Sequence, residues 1–99
     1  MPIAEKIIKK VAEDTNISID ELTISGLLAF LREKKNKVML ERLDVLARYS
    51  VASAKELENK IKNSEIAEHP AWEDLILLEN LEEAVARIEE DIKAIQKSS

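Results

Sequence analysis

From Leu78 to Ile95 the apolar residues Leu78, Leu81, Val85, Ile88, Ile92 and Ile95 fall at intervals of 3, 4, 3, 4 and 3. That period places all six on one stripe of a helix, a continuous seam that has to be covered. It predicts a long C-terminal helix that starts at "EHPAWEDL" and runs to about Lys97. In a parallel two-stranded zipper the flanking pairs would be Ala84 with Glu89 and Asp91 with Gln96, and neither attracts. The seam is expected to pack on other helices of the chain or on an antiparallel partner.

The rest of the chain also reads as helix. One Gly, two Pro and three aromatic residues in 99 are too few turn formers and aromatics for an all-β chain. In "IAEKIIKKVAED" Ile3, Ile7 or Ile8, and Val11 form one face, with Glu5 and Lys9 as an i,i+4 pair. Asn16 suits a left-handed turn, and Ser18 with Glu21 suits a capping box. Leu22, Leu27, Leu28 and Leu31 are then expected core positions, and Gly26 is expected where another backbone comes close. "REKKNK", residues 32–37, interrupts the stripe without a Pro or Gly, so a continuing helix is expected there. Met39, Leu40, Leu43, Leu46 and Ala47 resume the stripe. Ser53 can cap "AKELENKIK", with Leu57 and Ile61 inward, Glu56–Lys60 and Glu58–Lys62 as pairs, and Asn63 as a left-handed stop. The expectation is one all-α domain over residues 1–99, a small bundle of four or five helices with a long C-terminal helix.

"HPAWED" explains itself as a helix start. Pro70 fits the first helical position, His69 the cap, and Glu73 and Asp74 the positive end of the helix dipole. A catalytic or metal reading fares worse. Zinc needs three or four ligands, commonly His or Cys, and the chain has one His and no Cys. No nucleophile is placed by motif, and a single glycine builds no phosphate loop. No enzyme activity, cofactor or metal is expected. Trp72 is expected in the core, with a subunit or partner interface as its other reading.

Charge separates the remaining options. Residues 1–49 hold nine basic and eight acidic side chains; residues 50–99 hold six and twelve. Glu82, Glu83, Glu90 and Asp91, with Glu79 and Glu89, make an acidic ridge on the last helix. Such a ridge is either solvated surface or a face for something basic, "REKKNK" of a neighbouring subunit or a basic protein. Nucleic acid is disfavoured. "VAEDTNISIDEL" has helix-turn-helix spacing at Ala12, Ile17 and Leu22, yet it would set Asp20 and Glu21 beside phosphate. "LARYSVASAKELENKI" is one residue short and presents Glu56 and Glu58. The basic cluster Arg32, Lys34, Lys35 and Lys37 has only Phe30 near it for base stacking. The charged N-terminus is unlike a signal peptide, and no apolar run nears the roughly 20 residues of a membrane span. A soluble, cytoplasmic protein is expected, and its richness in Ile, Lys and Glu leans toward a thermophile.

"RYSVASAKELENKIKNSEIAEHPAWEDLILLENLEE", residues 48–83, resembles a pattern in short, uncharacterised archaeal helical proteins. Ser50 and Ser64 stand in it where glycines would turn the chain. In size, charge and helicity the chain is also similar to acidic antitoxins that wrap basic toxins. Neither resemblance carries over a functional residue; the several apolar stripes, the long heptad-like last helix and the missing catalytic kit lead instead to a non-catalytic helical interaction module, homo-oligomeric, antitoxin-like or regulatory toward a basic protein. Trp72, the 78–95 seam and the ridge are its interface candidates; a helix-turn-helix nucleic-acid binder is the alternative.

Overall fold

The computed structural model describes residues 2–98, and the described chain is all-α: α1 Pro2–Thr15, α2 Ile19–Tyr49, α3 Ala54–Lys62 and α4 Glu68–Ser98. Met1, Ser99 and the side chains of Pro2 and Ile3 lie outside the described residues, and with them the Ile3 position of the first stripe. The helix ends follow the local chemistry. Asn16 turns the chain at φ 59°. Ser18 caps α2, its hydroxyl accepting from the Glu21 amide at 3.0 Å. "REKKNK" is continuous helix, so α2 runs 31 residues to Tyr49, where Ser50 stops it at φ 54°. Ser53 caps α3, accepting from the Glu56 amide at 3.2 Å, while the Glu56 carboxylate accepts from the Ala52 amide at 2.8 Å. Asn63 is not left-handed as expected. Its φ is −87°, and Ser64 next to it takes φ 60° and turns the chain.

α2 and α4 form a long antiparallel pair. Lys35 meets Glu89 at 3.2 Å, Arg42 meets Glu82 at 2.9 Å, and Tyr49 donates to Asp74. Those α2 residues are one heptad apart, and their partners descend α4 in nearly equal steps. On α2 the buried or half-buried positions include Ile24, Leu28, Leu31, Lys35, Val38, Arg42, Val45 and Tyr49, spaced alternately four and three. This corrects the expected inner face. Leu46 is buried, but Leu27, Leu40 and Leu43 are exposed, and Val38 and Val45 take the core instead. Lys35 and Arg42 occupy seam positions, so the true seam is hidden behind polar letters.

α3 covers one end of the hairpin. Ala54, Leu57 and Ile61 join Val38, Val45 and Leu46 of α2 and Ala71, Leu75, Leu78, Leu81 and Ile88 of α4 in one aliphatic core. The expected bundle of four or five helices is thereby corrected: three helices make the core, and α1 stays outside it, lying beside the Leu22–Leu27 stretch of α2. The register of the ion pairs puts the end of α4 opposite about Gly26, at 1.5 Å of rise per residue. The first turns of α2 therefore project beyond α4. A Cβ added at Gly26 meets nothing within 4 Å, so no backbone packs closely there, contrary to expectation. The molecule measures 61 × 25 × 21 Å.

Candidate interaction surfaces

The acidic ridge is partly neutralised within the chain. Arg42 directs Nε (3.0 Å) and Nη2 (2.9 Å) at the same Glu82 oxygen, with both side chains mostly shielded from water. Glu89 pairs with Lys35 of "REKKNK" and not with Lys93, while Glu83 pairs with Arg87 at 3.5 Å as its spacing suggests. The basic strip expected from a neighbour is thus supplied, for Glu82 and Glu89, by α2 of the same chain. Among the described residues no ion pair engages Glu79, Glu90 or Asp91. All three are exposed; Glu79 and Glu90 stand about 20° apart in projection on one side of the helix, and Asp91 about 100° further round.

The seam candidates divide similarly. Leu78, Leu81 and Ile88 are buried against α2 and α3; Val85, Ile92 and Ile95 are half-buried. The seam found its antiparallel partner inside the chain.

At the start of α4, His69 has the extended backbone of a cap (φ −113°, ψ 126°), the His69–Pro70 bond is cis, and helix follows. His69 Nδ1 lies 2.9 Å from Glu73 Oε1, so the imidazole has a polar neighbour, but both side chains stand in open solvent. Among the described residues no three His, Asp or Glu side chains gather as a metal site. Trp72 is not in the core as expected: it is 49% exposed, beside exposed Ile76 and Leu77. Ala71, Leu75 and Leu78 continue the seam toward the N-terminus, and Trp72 sits about 100° round the helix from Ala71.

Behind Trp72, Tyr49 donates its hydroxyl to Asp74, which also lies 3.6 Å from Arg48. Burial, then the hydrogen bond, then the Asp74 charge push the Tyr49 pKa from 10.0 up to about 12. Because the folded value is the higher one, neutral Tyr49 supports the fold fully below pH 10, and that support fades as pH rises through about 12. Tyr49 is the only tyrosine, so tyrosinate absorbance reads it alone. We expect a titration near pH 12 in the native protein that moves back toward 10 in Asp74→Asn. Native titration at the ordinary value would remove this hydrogen bond.

The most apolar open surface lies at the other end. Ile7, Ile8 and Val11 of α1 and Leu22, Thr23, Gly26 and Leu27 of α2 line a groove. Sequence reasoning missed it because Leu22 and Leu27 read as core. Ala12 is buried and Ile17 and Leu22 are half-buried, so the local turn has helix-turn-helix spacing, with Asp20 and Glu21 in the first turn of the second helix. No described helix is long and apolar enough to cross a membrane.

No curated protein and no solved structure matches the chain. A family model does, over its whole length rather than over residues 48–83 alone: matched across residues 1–99, the chain belongs to the Uncharacterized protein MJ0235 family.

Proposed function

We propose that this is a non-catalytic helical interaction protein whose working form is a homo-oligomer, with its acidic strip available to a basic protein in the manner of an antitoxin or regulatory partner. The observation that carries the reading is surplus surface. The chain exposes 7281 Å². A compact monomer of its mass exposes about 5,700 Å². The difference, about 1,600 Å², exceeds the roughly 800 Å² per partner of a standard interface. Its radius of gyration, 19.6 Å, supports the same conclusion against about 13 Å for a compact chain of this length. Eleven large apolar side chains are exposed among the described residues, and clusters of such side chains mark interaction surfaces.

The helix-turn-helix alternative has the left-handed Asn16 turn in its favour. Asp20 and Glu21 at the leading end of its second helix oppose phosphate, and we prefer the protein–protein reading. Sedimentation of the full chain across a concentration series tests it. The expected mass is at least twice 11.2 kDa, and a monomer throughout would overturn the assembly.

A further inference from the structure

We infer that the open face of α1 and the projecting turns of α2 bind the same face of a second copy, joining two chains at their N-terminal ends about a two-fold axis. The inference rests on the assembly reading above and names its surface.

Three observations converge on this end. Ile7, Ile8, Val11, Ile19, Leu27 and Phe30 are all exposed, Phe30 at 63%, so more than half of the large exposed apolar side chains among the described residues stand at this end. The groove between α1 and α2 is open because α4 ends near Gly26 and supplies no third helix there. A two-helix hairpin with one apolar side uncovered is half of a four-helix arrangement, and an identical hairpin is complementary to it by symmetry.

Charge selects the occupant. α1 carries three acidic and three basic side chains, so a second copy meets no net repulsion on that helix. α4 carries nine acidic and three basic, so two copies placed α4 to α4 would repel. The projecting turns of α2 add Asp20 and Glu21, so this end carries a net charge of −2 against −6 on α4, and joining at the N-terminal ends buries the less charged apolar surface and keeps the acidic strips apart. Gly26 fits this arrangement, since its missing side chain leaves the groove floor open to the partner while nothing in its own chain needs the space.

The test is sedimentation equilibrium of the wild type, Ile8→Glu and Gly26→Gln, with Leu40→Gln and Ile76→Gln as controls on the two other exposed apolar patches. Gly26→Gln is chosen because a Cβ added there meets nothing within 4 Å and Gln is the better helix former, and an unchanged circular dichroism spectrum and unfolding midpoint check that the chain stays folded. We expect a wild-type dimer, a loss of affinity of about 30-fold or more for Ile8→Glu and Gly26→Gln, and little change for the controls. A wild-type oligomer that ignores both groove variants, or that dissociates only with Leu40→Gln or Ile76→Gln, overturns this face and leaves the assembly reading standing. A wild type that stays monomeric overturns both.

Discussion

Leu78→Ala is expected to lower the free energy of unfolding by about 3–4 kcal/mol, while Leu40→Ala changes it by less than about 0.5. The two residues are the same type, each on a long helix, each within an apolar stretch of sequence. They differ in where the fold puts them. Leu78 is 0% exposed at the junction of α2, α3 and α4, and truncating it leaves a cavity that three helices share. Leu40 is 67% exposed on the outer side of α2 and leaves none. A chain of this length has a total margin of roughly 5–15 kcal/mol, so the first change removes a large part of it. Urea unfolding monitored by circular dichroism measures both, with an unchanged slope expected for each. The comparison belongs in conditions where the assembly state is fixed, because association adds its own stability. Equal losses at the two positions would mean that the outer side of α2 is covered and the helix pairing is misassigned.

That contrast marks where the fold is legible in the sequence. Local signals read well. Ser18, Ser53 and Asn16 each act within four residues of themselves and do what their type and position suggest, while Ser50 and Ser64 take left-handed turns for which glycine is the easier residue. The Asn63 stop slipped by one residue, to Ser64, although Asn is the easier of the two in the left-handed conformation. The α4 seam reads well because all six of its positions, Leu78, Leu81, Val85, Ile88, Ile92 and Ile95, are apolar. The α2 seam does not, since Lys35 and Arg42 stand on it and Leu40 and Leu43 offer a rival apolar face. Trp72 could have been placed from spacing alone: Ala71, Leu75 and Leu78 extend the seam by four and three, which leaves Trp72 off it. The open groove was beyond sequence reasoning, because an uncovered stripe and a covered one have the same letters. Only the register of α2 on α4 shows which third of α2 lacks a partner.

That register depends on charges at seam positions, and Arg42→Glu is expected to cost about 2–4 kcal/mol. The substitution sets a second carboxylate against Glu82 where the side chains are only 22% and 33% exposed, too shielded for water to screen fully. The exchanged pair, Arg42→Glu with Glu82→Arg, is expected to recover most of the loss, and a double-mutant cycle by chemical denaturation reads the coupling. Without such charges two heptad seams can slide past each other by seven residues and still bury apolar side chains. Here a slip in one direction brings Arg42 opposite Glu89 but leaves Lys35 opposite Gln96. In the other direction Lys35 meets Glu82 while Arg42 faces Leu75. Either way one of the two pairs is lost and a half-buried cation loses its anion. Replacing both Arg42 and Glu82 by Leu is therefore expected to keep or raise the melting temperature while weakening the preference for one alignment. Distances between spin labels on single introduced cysteines, one near each helix end in a chain that has none of its own, would broaden into more than one population. A charge reversal without cost, or an exchanged pair no better than the single variant, would remove Arg42 and Glu82 from this role and leave the register to apolar packing, the Lys35–Glu89 pair and Tyr49.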